Sequence, residues 1–165
     1  MSSTPSIEIR LAESDDAAAI AFLLAEAFAE YRSLYTPDGY AATAISRAEV
    51  VRRIEEGPVW VALSGELILG TVSVVPKGGS LYVRGMAVLS TARGRRIGEL
   101  LLAQVEKFAA SKGIRRLFLS TTPFLDRAIR LYQKSGFRRT EEGPTDLFGT
   151  PLFTMEKVSD SLGAR

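Results

Sequence analysis

Alternating strand-like and helix-like stretches over 165 residues predict an α/β fold: a mixed, mostly antiparallel sheet with helices on both faces. Three features carry this expectation. The periodicities run strand, two helices, three strands, helix, strand, helix, two strands. A hairpin signal joins two of the strands. An apolar strand passes through an arginine- and glycine-rich turn straight into an amphipathic helix. At this length one domain suffices, able to bury about two-thirds of the surface that its unfolded chain exposes. It is expected to span residues 7–158, with flexible tails at 1–6 and 159–165.

Taken in order, Ile7-Glu8-Ile9-Arg10-Leu11 alternates as an edge strand does, and Ser14, Asp15 and Asp16 mark a helix start. Ile20, Leu23, Leu24, Ala27, Phe28 and Tyr31 then recur at helical spacing. A second helical stretch, roughly 43–55, ends at Gly57-Pro58. Between them, residues 32–42 contain Tyr35, Pro37, Gly39 and Tyr40 and read as a loop or irregular helix, its tyrosines suited to half-buried packing or to the rim of a pocket. Residues 59–63 and 67–75, separated by Ser64-Gly65-Glu66, give the hairpin. The next strand holds Leu81-Tyr82-Val83 and Met86-Ala87-Val88 and stops near Leu89. From Ile97 the residues Leu101, Val105 and Phe108 mark a helix ending at Lys112-Gly113. A strand at 115–121, a short helix ending at Gly136, and a closing strand pair at 137–142 and 152–158 complete the chain.

Composition narrows the chemistry. The longest apolar run, near residues 17–25, falls short of the roughly 20 residues of a membrane span. Residues 1–6 lack a basic stretch followed by an apolar core, so the expected compartment is the cytoplasm. Without cysteine or histidine the chain lacks thiolate and imidazole ligands, so no metal is expected, and an acyl-cysteine intermediate cannot form. Net charge is only +2 but unevenly spread: residues 84–139 hold thirteen Lys/Arg against three acids, and residues 1–60 hold five Arg against ten acids. No nucleic-acid-binding motif or interleaved aromatic pattern accompanies the basic middle, so a polyanionic cofactor is expected there rather than nucleic acid.

Arg93-Gly94-Arg95-Arg96-Ile97-Gly98 lies between the strand and the helix. The first N–H groups of a helix have no internal partners and sit at the positive end of its dipole. Guanidinium groups at Arg93, Arg95 and Arg96 are expected to converge on the same point, suited to a pyrophosphate. A lone cluster of this kind is more often a solvated basic loop; its place between strand and helix is what favours phosphate. No Gly-x-x-x-x-Gly-Lys-Ser/Thr or Gly-x-Gly-x-x-Gly pattern is present, which argues against a kinase, an ATPase or a dinucleotide enzyme.

The turn, together with Ala128, Tyr132, Gly136 and Phe137 downstream, resembles the coenzyme A-binding core of the GNAT superfamily of acyl-CoA N-acyltransferases. The family pattern Arg/Gln-x-x-Gly-x-Gly/Ala maps onto Arg93 to Gly98 with one departure, Arg96 where glycine is usual. Ala-x-x-x-Tyr-x-x-x-Gly-Phe maps onto residues 128–137 without change. A frequent family asparagine corresponds to Leu125. The likeness extends from Ile7 to Val158.

The resemblance implies a V-shaped opening between the two central strands and acetyl-CoA as co-substrate. Met86, Ala87 and Val88 would pair with the pantetheine arm through their backbone, and Arg93, Gly94, Arg95, Arg96, Ile97 and Gly98 would hold the diphosphate. Tyr132 would be the general acid, a phenol of reference pKa about 10 that stays protonated at neutral pH. The implied acceptor is a primary amine of a small molecule or protein, attacked directly in a ternary complex, and a homodimer is compatible with the family. Gly85, beside Arg84, marks either a bulge that aims backbone donors at the thioester or a plain strand irregularity. The base is open: residues 76–88 hold no Asp or Glu, leaving Glu26, Glu30, Asp38, Glu141, Glu142 or a water chain. A non-catalytic acyl-CoA sensor on the same fold is the alternative.

Overall fold

A computed structural model describes residues 6–159; of the expected tails, residues 1–5 and 160–165 lie outside the described part. Strands β1 (Ile7–Leu11), β2 (Val59–Ser64), β3 (Leu67–Lys77), β4 (Ser80–Val88), β5 (Arg116–Thr121), β6 (Arg138–Thr140) and β9 (Phe153–Val158) form one sheet in the order β1-β2-β3-β4-β5-β9-β6. Only β4 and β5 run parallel; the other pairs are antiparallel. A crossover helix, α4 (Ile97–Ser111), joins that parallel pair, as parallel neighbours require.

The central strands are buried on both faces, and their alternation sorts residues between two cores. Val59, Val61 and Leu63 of β2 face α1 (Ala17–Phe28) and α3 (Arg47–Glu56), joining Ile20, Leu23, Leu24 and Val50. Trp60 and Ala62 face the opposite side, with Leu101, Leu102 and Val105 of α4 and Tyr132 of α5 (Asp126–Lys134).

Helix starts follow local chemistry. The Ser46 hydroxyl accepts from the Glu49 amide (3.2 Å) and the Glu49 carboxylate accepts from the Ser46 amide (3.1 Å), a reciprocal cap that starts α3. The α3 helix ends at Gly57 because the chain there passes against β3: a Cβ on Gly57 would lie 2.5 Å from the Val74 carbonyl oxygen. At the first helix, residues 14–16 form a 3-10 turn before α1 begins at Ala17.

Two elements depart from the sequence expectation. Residues 37–42, expected to be part of a loop or irregular helix, and Thr43, expected to start the next helix, form the regular helix α2 (Pro37–Thr43), capped by the Thr36 hydroxyl accepting from the Gly39 amide at 3.0 Å, so that α3 begins only at Arg47. The link before β9 contains a two-stranded hairpin, β7 (Asp146–Leu147) with β8 (Thr150–Pro151). It docks on α2: the Thr36 amide donates to Thr150 Oγ1 (2.9 Å) and the Thr36 hydroxyl to the Phe148 carbonyl (2.8 Å). At the far end, the Ser159 amide donates to the Arg115 carbonyl at 2.8 Å. Among the described residues no helix is long and apolar enough to cross a membrane.

Candidate active site

The parallel pair β4/β5 is in register only at Leu81 with Leu117 and Tyr82 with Phe118. Beyond Tyr82 the two strands splay, leaving β4 residues 83–88 without a strand partner on that side. A cleft of about 600 Å³ fills the opening. Its middle is walled by Met86, Ala87 and Val88 from β4, Leu119 to Thr121 from β5 with Thr122 just beyond it, and Tyr132 from α5.

The bend in β4 has a local cause. Thr71 pairs with Ala87 but Ser73 with Arg84, so β4 carries one extra residue there, and Gly85 takes φ +68° within it. Gly85 is thus a true bulge, and the cleft opens beside it.

At one end, Arg93, Gly94, Arg96, Ile97 and Gly98 line the cleft where α4 begins. No side chain caps the first turn of α4, so its unpaired amides remain open to a ligand. The guanidiniums do not converge as the sequence suggested. Arg93 pairs with Glu30, Arg95 lies outside the cleft lining, and Arg96, whose side chain is 76% exposed, turns to Glu99 at 3.1 Å. The Arg96 hydrogen bonds hold the Glu99 carboxyl below the usual carboxylate range, with Lys134 contributing less. Arg127 and Arg130 of α5 line this end as well, two cations that the sequence reading had not assigned to the site. Their signal was present in the spacing, since positions three apart share a helix face.

Tyr132 is 7% exposed and leans on Phe137, ring centroids 5.8 Å apart. Its hydroxyl has no hydrogen-bond partner among the described residues and borders the cleft. Burial, then the nearby Tyr35 and Tyr82, push the phenol above its ordinary value, so it stays protonated at neutral pH.

The other end is walled by Tyr31, Tyr35, Thr43, Tyr82, Arg53 and Arg84. Tyr35 is buried edge-on against Phe124 at 4.9 Å, whereas Tyr40 lies outside the lining and donates to the Ala25 carbonyl at 3.3 Å. Arg53 was not singled out in the sequence; its place here depends on how α3 packs, which no local pattern reveals. None of Glu26, Glu30, Asp38, Glu141 and Glu142 borders the cleft. Glu26 binds the Ser90 hydroxyl (2.7 Å), and Glu142 pairs with Arg116. Among the described lining residues Glu99 is the one acid.

The model of the acetyltransferase (GNAT) family matches residues 14–137, the stretch that holds every residue lining this cleft except Leu147 and Leu152. The chain belongs to that family. The IAA acetyltransferase of Azospirillum brasilense is 36% identical over 80 residues, 48% of this chain and 51% of that protein. The probable N-acetyltransferase family 8 member 5 of Mus musculus is 34% identical over 90 residues, 51% of this chain and 40% of that protein. The matches thus span about half or less of these relatives. Among solved structures, the PaiA N-acetyltransferase of Thermoplasma acidophilum, in complex with coenzyme A, superposes with a TM-score of 0.80 at 20% identity, covering 93% of this chain and 99% of that one. At that identity the likeness is one of fold, and the GNAT fold is the architecture described above. Among the described residues no cluster of His, Cys, Asp or Glu could hold a metal ion.

Proposed function

We propose that this GNAT protein transfers an acetyl group from acetyl-CoA to a primary amine by direct attack within a ternary complex. The observation that carries the proposal is the position of the unpartnered Tyr132 hydroxyl, bordering the cleft between the uncapped start of α4 and the opened edge of β4. The diphosphate would take the open amides of Ile97 and Gly98 with Arg93, and the 83–88 edge of β4 would pair with the pantetheine arm. Arg127 and Arg130 would meet the remaining phosphate charge, with Arg95 and Arg96 adding to the basic field.

Held in this way, the thioester carbon lies near the Gly85 bulge. The amine nitrogen bonds to that carbon, the C–S bond breaks, and the Tyr132 phenol gives its proton to the departing sulfur. The proton shed by the new amide nitrogen passes to the phenolate directly or through water, so the net products are the acetamide and coenzyme A thiol. A phenol is a weaker acid than a thiol, so its donation counts most while negative charge is building on sulfur. This function would be exercised in the cytoplasm, on a small-molecule or protein amine, by a monomer or homodimer.

Calorimetry with acetyl-CoA and with coenzyme A, followed by thiol release with a panel of amines, tests the proposal. Binding of both and amine-dependent thiol release are expected. Failure to bind either removes the proposal; binding without release from any amine assigns the fold to an acyl-CoA sensor.

A further inference from the structure

Two arginines at the end of the cleft away from α4 are poorly satisfied. Arg53, on the last turn of α3, is half-buried, yet no carboxylate lies within 4.0 Å of its guanidinium and its side chain makes no hydrogen bond among the described residues. Arg84, beside it on β4, pairs through one terminal nitrogen with the exposed Glu56, while its buried Nε has no partner. Both guanidiniums border the cleft, and Arg53 Nη1 lies 3.0 Å from where a Cβ on Gly85 would stand, which places it at the bulge itself.

Burying an unpaired guanidinium is unfavourable, and setting a second cation beside it more so, unless a ligand supplies the opposite charge. Burial, then repulsion from Arg84, pull the Arg53 pKa below its ordinary value. Tyr31, Tyr35 and Tyr82 line the same cleft and give it aromatic surface.

Building on the proposed acetyl transfer, we infer that the acceptor is an amine that also carries a carboxylate on an apolar or aromatic body, and that Arg53, with Arg84, is the specificity-determining anchor for that carboxylate. The guanidinium fork matches a carboxylate bidentately, and the orphaned Nε of Arg84 adds a further donor.

The test pairs aromatic amino acids of α, β and γ spacing with their carboxamides in a thiol-release assay. Alongside, hydrocinnamate, which has the carboxylate and ring but no amine, is titrated into the coenzyme A complex by NMR. The carboxylate is expected to raise kcat/KM at least about tenfold over its carboxamide at one or more spacings, as loss of a charge-assisted hydrogen bond would require. Hydrocinnamate is expected to bind. Arg53→Gln should abolish both the preference and the binding, and Arg53→Lys should restore part of each, since charge remains while the fork is lost. Equal use of carboxamides, or no hydrocinnamate binding, overturns the inference even where thiol release from other amines leaves acetyl transfer standing. Failure to bind acetyl-CoA would instead overturn the transfer itself.

Discussion

Arg93 and Glu30 are paired across the mouth of the cleft, joining the turn after β4 to the 3-10 segment that follows α1. The proposed diphosphate and Glu30 therefore compete for one guanidinium. Arg93→Ala should raise the dissociation constant for coenzyme A about ten- to a hundredfold, the range expected for a lost hydrogen bond from a charged group. Glu30→Gln should act oppositely, tightening binding about two- to fivefold, since an exposed pair of this kind is worth roughly 0.2–1 kcal/mol. Titration calorimetry at low and high salt reads both. An unchanged constant in Arg93→Ala would separate Arg93 from the cofactor.

Tyr132→Phe separates chemistry from folding. The hydroxyl has no protein partner to lose, so the variant should melt at or slightly above the wild-type temperature and still bind coenzyme A. Its kcat should fall about 10²- to 10⁴-fold if the phenol supplies the leaving-group proton. In the wild type, burial keeps the phenol protonated well above neutrality. The rate should therefore rise with pH as the amine loses its proton, with no falling limb from Tyr132 below about pH 10. A falling limb near neutrality, absent from Tyr132→Phe, would show that the phenol ionises far more easily than its surroundings imply.

Arg96 occupies a position where glycine is the commoner choice in the resemblance noted above, and the backbone explains why. It sits at φ +62°, ψ +23°, the left-handed region, which costs a residue with a Cβ about 1–2 kcal/mol. Its ion pair with Glu99 is solvent-exposed. Arg96→Gly relieves the strain but adds freedom to the unfolded chain worth about 0.4–1 kcal/mol, leaving a net gain of roughly 0.5 kcal/mol. Denaturant unfolding measures this gain. Coenzyme A affinity should change less than about threefold, because what the turn contributes at this residue is mainly its backbone shape.

What the sequence disclosed and what it concealed divide along physical lines. Elements with a strong local signal were legible: the β2–β3 hairpin through two apolar runs flanking Ser64-Gly65-Glu66, and α4 through the helical spacing of Ile97, Leu101 and Val105. The α2 helix was read only as a loop or irregular helix, although Thr36-Pro37 is a cap followed by a proline at the first helical position, because Pro37 and Gly39 also suit a loop. The β7–β8 hairpin was hidden for another reason. Its turn places Phe148 at φ +51° before Gly149, where an Asn or Asp would have announced a hairpin. In the cleft, the α4 start and Tyr132 follow local motifs, but Arg53 reaches the site only through the packing of α3 over the β4 bulge. A long-range contact of that kind leaves no trace in spacing.

Glu156 ties three strands together and makes stability depend on pH. On β9 it stands opposite Phe118 of β5 and Arg138 of β6, and it accepts hydrogen bonds from Arg116 (2.7 Å) and Arg138 (3.3 Å). The Arg116 hydrogen bond is the main reason that its carboxyl lies below the usual carboxylate range. A folded-state pKa depressed in this way contributes stability that is fully present above the unfolded value, about 4.3, and is lost as pH falls through the folded one. Glu156→Gln should therefore be less stable than wild type at pH 7, by about 1 kcal/mol, for a part-buried, hydrogen-bonded pair whose Arg116 and Glu156 side chains are 27% and 14% exposed. The difference should shrink through the acid range and vanish once the wild-type carboxyl is protonated. Thermal melts of both proteins from pH 7 down to pH 3 measure it. A gap that holds constant across that range would place the effect in packing of the side-chain stem against β5 and β6 rather than in its charge.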